Sequence, residues 1–169
     1  VERSRGLGDV YKRQRTDSAD LQRYVLRRIE SSTGGAVAGT SNIEHLAPQN
    51  PPANDPHWVN AVASKDVPDQ DDMVYDDYVT NWGNLTLLEE KLNKSIQNSA
   101  WPMKIAGTQN YKGISASTYN VNTHIKTMAS WTAADILKRE AWMTQCISTL
   151  VSPQWVNSGH VPVPMWTGN

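Results

Sequence analysis

Residues 82–94 read Trp-Gly-Asn-Leu-Thr-Leu-Leu-Glu-Glu-Lys-Leu-Asn-Lys, and this stretch decides the fold. Its apolar part, residues 85–88, follows a Gly-Asn turn and predicts a short β-strand. After the strand the spacing changes, because Leu88, Leu92 and Ile96 recur at every fourth residue. This period predicts a helix over residues 89–98 with one apolar face, and Pro102 follows its end. A strand that leads directly into a helix is therefore the central unit of the chain.

A second short strand is predicted upstream, where residues 42–48 read Asn-Ile-Glu-His-Leu-Ala-Pro. Residues 42–46 favour an extended conformation, and Pro48 ends it. Neighbouring side chains on a strand point to opposite faces, so Glu44 and His45 diverge unless the strand ends or bends at this point. Pro48 and the loop that follows it favour such an ending.

Helices account for most of the remaining predicted structure. The first is capped by Asp17 or Ser18 and ends before the glycine pair at residues 34–35. The last begins at Thr132, where Thr-Ala-Ala-Asp resembles a capping box, and continues through Ile147. Shorter helices are predicted at two places, residues 58–63 and 71–78. The predicted fold class is therefore α+β and mainly helical.

The length of 169 residues favours one domain. Residues 9–14 read Asp-Val-Tyr-Lys-Arg-Gln, which is the in-frame translation of a common transposon-derived sequencing adapter. We therefore interpret residues 1–15 as an artefact and expect the natural protein to be truncated before Thr16. The domain is assigned to residues 16–150. Three prolines in residues 151–169 predict an extended tail.

Composition limits the classes of protein that the chain can belong to. No apolar run approaches the roughly 20 residues that cross a bilayer, and no signal-peptide pattern opens the chain. The single cysteine, Cys146, excludes an internal disulfide and a cysteine-rich zinc cluster, and favours a cytoplasmic setting. With a net charge of −1, no global basic field indicates nucleic-acid binding.

The charge is unevenly distributed along the chain, however. Residues 50–80 hold seven Asp and one Lys, whereas residues 91–130 hold five Lys and no acid. One interpretation is two solvated faces of opposite sign. The other is a local basic strip that holds phosphates by charge. Both alternatives remain open at this point.

Four side chains from these segments form a candidate site, namely Glu44, His45, Asn84 and Asn93. A histidine with an unperturbed pKa of about 6.5 is a suitable general base near neutral pH. The Glu44 carboxylate is a hard oxygen ligand for Mg²⁺, and the amide oxygen of Asn93 can complete its coordination. The amide of Asn84 can bond to the loop that carries His45. Each residue alone is ordinary surface, turn or helix chemistry, and only the order and spacing point to a site.

Together these segments resemble the HNH endonucleases. More closely, they resemble the HNH-type C-terminal nuclease domain of GmrSD-like, modification-dependent restriction enzymes. The similarity covers about residues 20–150. The segments that carry it are residues 24–30, 43–49, 82–88, 92–98 and 131–132, with Lys104, Tyr111, Ser115, Ile136 and Arg139.

This resemblance implies a ββα-metal finger, around which the helices pack. It implies that His45 is the general base and that Asn84 orients the loop holding it. Glu44 and Asn93 then hold one divalent ion, Mg²⁺ or another such as Mn²⁺. Lys94 or Lys104 steadies the phosphate backbone of the DNA. These roles follow from the resemblance alone.

The resemblance also implies a metal-dependent DNA endonuclease domain, an HNH-type phosphodiester hydrolase, within a restriction and phage-defence protein. Its partners are DNA and a nucleotide-binding domain in the missing N-terminal part, which also chooses the target. One alternative is a non-catalytic DNA-binding or interaction module that keeps the HNH scaffold. Another is a structural α+β domain in which the Asn and His residues serve only as caps and turns.

Overall fold

The structure is a computed structural model that describes residues 19–37, 40–53, 56–62, 74–150 and 163–168. The artefact assigned to residues 1–15 lies outside the described residues. So does most of the predicted tail, of which residues 163–168 are described and contain neither helix nor strand.

The described part of the chain contains six α-helices and two strands. In chain order they are α1 (Ala19–Ser32), β1 (Ser41–His45), α2 (His57–Ala61), α3 (Tyr75–Val79), β2 (Leu85–Glu89), α4 (Glu90–Ile96), α5 (Trp101–Ala106) and α6 (Ala133–Leu150). Single 3-10 turns lie at Trp82–Asn84, Ile114–Ala116, Asn120–Asn122 and Ile125–Thr127. The predicted α+β, mainly helical class is confirmed. Within these residues, no helix has the length and apolarity needed to cross a membrane.

The two strands form one antiparallel sheet, in which Glu44 pairs with Thr86 and His45 with Leu85. β2 passes directly into α4, because Glu89 is still extended and the helix starts at the next residue. α4 then packs on both strands. Strand, strand and helix therefore form a compact ββα unit, with β1 ending at His45.

Both long helices lie where the sequence predicted them. At the start of α6, Thr132 and Asp135 exchange hydrogen bonds: the Thr132 N–H donates to the carboxylate at 2.9 Å, and the Asp135 N–H donates to the hydroxyl at 3.3 Å. This reciprocal pair confirms the predicted capping box.

Helix α5 was not predicted, because Pro102 was interpreted as the residue that follows the end of a helix. In the structure Pro102 lies in the first turn of α5. Proline is accepted there, since the N–H that it lacks has no partner within the helix at that position.

The core contains a cluster of tryptophan rings. Trp101 and Trp131 are stacked with ring centres 5.5 Å apart, and Trp58 lies edge-on to Trp101 at 6.3 Å. All three are buried, as expected for core residues rather than a base-stacking platform. Trp166, from the last described segment, lies edge-on to Trp131 at 5.9 Å. This segment is therefore anchored in the same core.

Helix α6 packs closely against the turn that precedes β2. A Cβ atom on Gly83 would lie 2.0 Å from the carbonyl oxygen of Ile136 and 2.7 Å from the backbone nitrogen of Glu140. Arg139, on the same helix, donates hydrogen bonds to the carbonyls of Gly83 and Leu85 at 2.8 and 2.5 Å. Only glycine permits this approach, and the approach determines where Asn84 lies.

Replacing Gly83 with alanine tests this packing. We expect Gly83→Ala to lower the free energy of unfolding by about 3 kcal/mol, because the added methyl meets helix backbone that cannot move aside. The measurement is urea denaturation. Gly34→Ala is the control, because a Cβ atom at Gly34 meets nothing within 4 Å. Only the backbone φ of +82° opposes this substitution, and we expect that strain to cost about 1 kcal/mol. Equal losses in the two variants would contradict the packing argument.

Candidate active site

A buried ion pair lies at the end of β1. The Lys104 ammonium is 2.5 Å from the Glu44 carboxylate and also donates to the carbonyl of His45 at 2.8 Å. The Lys104 side chain is 0% exposed and that of Glu44 is 11% exposed. Burial raises the pKa of Glu44 and lowers the pKa of Lys104, and in each case the partner's charge opposes that shift. Lys104 therefore ties together the two adjacent residues of the predicted site.

This placement of Lys104 argues against the predicted contact with DNA phosphate. A phosphate contact needs an ammonium group at the surface, whereas Lys104 is fully buried and its ammonium lies 5.7 Å from the ring centre of Trp58. The predicted role is therefore corrected: Lys104 acts inside the domain, on Glu44 and His45. The sequence did not reveal this, because the ion pair joins residues sixty positions apart.

His45, the last residue of β1, is half-buried. Burial and, to a lesser extent, the charge of Lys104 together lower the pKa of its imidazole to about 4. The ring is therefore neutral at neutral pH. The N–H of Leu46, the next residue, donates to the carbonyl of Asn84 at 2.9 Å. This hydrogen bond fixes the point at which the loop leaves the strand.

Asn84 is fully buried, and its amide makes four hydrogen bonds. The oxygen accepts from the Ala47 N–H at 2.8 Å and from the Trp131 indole at 3.1 Å. The nitrogen donates to the carbonyls of Ala47 at 2.8 Å and Val79 at 3.0 Å. The predicted bond between this amide and the loop after His45 is therefore present. Its amide therefore has no donor or acceptor left for a further ligand.

Arg139 holds the backbone on either side of Asn84, and the sequence did not predict this role. It is fully buried, and no carboxylate pairs with it within the described ranges. The Trp142 and Trp166 ring centres each lie 5.7 Å from its guanidinium carbon, and cation–π attraction replaces part of its hydration. Burial lowers its pKa to about 9, which leaves it charged at neutral pH.

A signal for Arg139 does exist in the sequence. Ile136, Met143 and Cys146 define the apolar stripe of α6, and Arg139 occupies a position within that stripe. A charged residue at such a position must find partners in the interior. The sequence alone does not say which carbonyl groups those partners are.

Asn93 lies on α4, beside β1. Its amide nitrogen donates to the carbonyl of Ile43 at 3.3 Å, and its amide oxygen receives no hydrogen bond from the described residues. The candidate metal ligands are thus one carboxylate, Glu44, and one amide oxygen, Asn93. Among the residues that the structure describes, no group of three or more His, Cys, Asp or Glu side chains surrounds a possible metal position.

Three of the five lysines of residues 91–130 have partners within the domain. Lys94 is exposed but lies 2.5 Å from the Glu90 carboxylate, one helical turn away. Lys104 is buried, and Lys126 donates to the carbonyl of Ser117. Lys91, Lys94 and Lys112 are exposed, so the phosphate-binding strip is reduced to these three residues and stays a prediction.

A double-variant cycle tests the buried ion pair. We expect Lys104→Met to lower the free energy of unfolding by about 3–5 kcal/mol, because it leaves the Glu44 carboxylate buried without its counter-charge. Glu44→Gln combined with Lys104→Met should be less destabilised than Lys104→Met alone, since neither charge remains. Urea denaturation at neutral pH measures the wild type, Lys104→Met, Glu44→Gln and the double variant. Losses that simply add would show that the two side chains are not coupled.

A comparison with known protein families gives a match that covers most of the chain. Residues 5–146, most of the chain, match the family described as GmrSD restriction endonucleases, C-terminal domain. No curated protein and no solved structure gives a match. Membership of this family implies nuclease activity, with DNA as the substrate. The chain therefore belongs to the C-terminal domain family of the GmrSD restriction endonucleases.

Proposed function

We propose that this chain is an HNH-type, metal-dependent DNA endonuclease domain with His45 as its general base. One observation carries the proposal: the buried amide of Asn84 makes two hydrogen bonds to Ala47, in the loop directly after His45, and is itself fixed by Trp131 and Val79. This anchor fixes the backbone at the end of the strand that carries the half-buried, neutral imidazole. Catalysis by proton transfer needs that precision.

The residues beside His45 suit a divalent cation. Mg²⁺ and Mn²⁺ prefer oxygen ligands, and the site offers the Glu44 carboxylate and the Asn93 amide oxygen, which no described donor occupies. When bound there, such an ion supplies positive charge that stabilises the pentacovalent phosphate and the leaving 3′ oxygen. With one charged ligand and Lys104 beside it, the site should bind the ion weakly until phosphates add their own charge.

The chemistry assigned to His45 is the activation of water. Its neutral imidazole accepts a proton from a water molecule while the water oxygen forms a bond to phosphorus. The bond between phosphorus and the 3′ oxygen breaks, and that oxygen takes a proton from solvent. The products are a 5′-phosphate and a 3′-hydroxyl end.

Lys104 has a positioning role in this proposal. Its ammonium holds the Glu44 side chain and the His45 backbone at once, so it sets the two residues relative to each other. Its charge also adds to the effect of burial, which lowers the pKa of the adjacent imidazole to about 4. The imidazole is therefore neutral and able to accept a proton, and its lowered pKa makes it a weaker base than a free histidine. The Glu44 carboxylate, already in place, has less entropy to lose.

We further propose that target choice and its nucleotide-dependent control lie outside this domain, in the part of a longer restriction protein that precedes it. The described residues contain the candidate cutting site. A cutting module of this kind depends on another module for sequence or modification specificity.

A second function, a non-catalytic DNA-binding module, is favoured by one observation. The Glu44 carboxylate already has a counter-charge in Lys104, so it does not require a metal ion for neutralisation. In this interpretation the ββα unit is kept as a scaffold, and DNA is bound without being cut.

A nicking assay separates the two functions. With supercoiled plasmid and Mg²⁺, we expect the wild-type chain to produce open circles, and His45→Ala to do so about 10²–10⁴-fold more slowly because the base is removed. Gel electrophoresis over time measures the rates, with circular dichroism as the check on folding. Equal nicking by both would remove His45 from the mechanism. If both proteins shift the mobility of the DNA and neither cuts it, the second function is favoured.

A binding experiment tests the metal ligands independently of activity. We expect Asn93→Ala to weaken the binding of Mn²⁺ by at least about tenfold, as for the removal of a group that orients or ligates a metal. Electron paramagnetic resonance of free Mn²⁺ measures the affinity. Asn98→Ala is the matched control, because Asn98 is an exposed asparagine just beyond α4 and should leave binding unchanged. Unchanged affinity in Asn93→Ala would remove this residue from the ligand set.

A further inference from the structure

A tyrosine hydroxyl on α3 binds the loop that follows His45. The Tyr75 hydroxyl donates to the carbonyl of Pro48 at 2.8 Å. We propose that Tyr75 is a positioning residue, which holds the far end of this loop and thereby fixes the backbone next to His45. The inference deepens the proposed function and rests on it for the role of His45 in catalysis. The contact between Tyr75 and the loop can be tested without it.

The loop is bound at each of its three residues. The Leu46 N–H donates to the carbonyl of Asn84, and both backbone groups of Ala47 bond to the Asn84 amide. Pro48 has no N–H, so its carbonyl is its one backbone hydrogen-bonding group, and Tyr75 donates to it. All three loop residues are buried, and the residue after them is exposed. Tyr75 therefore holds the loop at its last buried residue.

Helix α3 contributes to this anchor at both of its ends. Tyr75, its first residue, holds Pro48. The carbonyl of Val79, its last residue, accepts a hydrogen bond from the Asn84 amide nitrogen at 3.0 Å. One short helix therefore binds both the loop and the asparagine that holds the loop. A displacement of α3 would disturb both contacts.

The core sets the position of α3. A helix of five residues is not stable alone, so its place depends on the rest of the domain. Tyr78 and Val79 are buried, and Tyr75 is half-buried against the same core. The Asp77 carboxylate accepts from the Val74 N–H at 3.1 Å, which closes the first turn. The Tyr75 hydroxyl is therefore presented to the loop from a fixed backbone.

The Tyr75 hydroxyl is a lasting donor in this environment. Burial and, to a lesser extent, the charge of Asp76 raise the pKa of Tyr75 above its usual value. The phenol therefore remains protonated at neutral and moderately alkaline pH. A carbonyl that loses its donor away from water costs free energy, so removal of the hydroxyl should favour opening of the loop at Pro48. Tyr75 acts on His45 through the backbone between them.

Amide hydrogen exchange in the full chain tests the loop contact. We expect Tyr75→Phe to make exchange of the Ala47 N–H about tenfold faster relative to that of the Val121 N–H, because the ring is kept and one hydrogen bond to the loop is lost. The Val121 N–H donates to Glu30 at 2.9 Å and reports the opening of the rest of the domain. Nuclear magnetic resonance of the ¹⁵N-labelled protein measures both rates.

Tyr78→Phe is the matched control, because it makes the same change on the same helix. The Tyr78 hydroxyl is buried and has no hydrogen-bond partner within the described part of the chain. The substitution therefore removes a hydroxyl without breaking a bond to the loop. We expect the ratio of the Ala47 and Val121 exchange rates to stay within about twofold of the wild-type ratio.

Nicking kinetics test the positioning role itself. We expect Tyr75→Phe to lower kcat about tenfold and to leave KM for the plasmid unchanged, because a loosened loop misplaces the base without removing a contact to DNA. Tyr78→Phe should leave both constants unchanged. A hydroxyl with a purely structural role would lower the urea midpoint but not the kcat of the folded chain.

The outcomes separate this inference from the proposed function. Equal acceleration of Ala47 and Val121 in Tyr75→Phe, or the same change in Tyr78→Phe, overturns the inference. Faster Ala47 exchange with a wild-type kcat overturns it as well. If Tyr75→Phe selectively accelerates Ala47 exchange but the wild-type chain never nicks plasmid, the contact between Tyr75 and the loop stands and the nuclease proposal fails.

Discussion

The contact between α6 and the turn before β2 is the interaction on which the rest of the structure depends. Gly83 lets the helix backbone approach within a distance that any side chain would prevent. Arg139 then binds the carbonyls on either side of Asn84, so the asparagine is held from both directions. Asn84 in turn holds Ala47, two residues beyond His45. A constraint on the last helix is thereby transmitted to the end of the first strand.

Buried charges occur at several places in this domain, and backbone groups help to satisfy Lys104, Arg139 and Glu30. Lys104 uses the carbonyl of His45 as well as Glu44, and Arg139 uses two carbonyls and two aromatic rings. Glu30 accepts two backbone N–H groups at the turn of residues 120–122. Because an unsatisfied buried charge is costly, each of these groups tolerates few alternative arrangements. The domain gains one defined geometry for the segments that these groups hold.

The predictions succeeded where local sequence is sufficient. A four-residue apolar period and an apolar run after Gly-Asn are local signals, so the strands were found within one residue of their observed bounds and helices α1, α4 and α6 within three. Helix α5 was missed because Pro102 was interpreted as following the end of a helix, although proline is also common in the first turn of a helix. The lysines of residues 91–130 were grouped by their position in the sequence. In the fold, Lys104 is buried, Lys94 pairs with Glu90, and Lys126 donates to a backbone carbonyl.

By itself the sequence determined the secondary structure of the central ββα unit, the family, and the set of residues from which a site could be built. Those properties depend on the spacing of residues along the chain, which can be read from the sequence. The tertiary structure alone decided that Lys104 is buried against Glu44, that the Asn84 amide has no capacity left for a ligand, and that Arg139 belongs to its support. Each of these depends on contacts between residues more than thirty-five positions apart, because burial and hydrogen-bond partners are fixed only when the chain is packed.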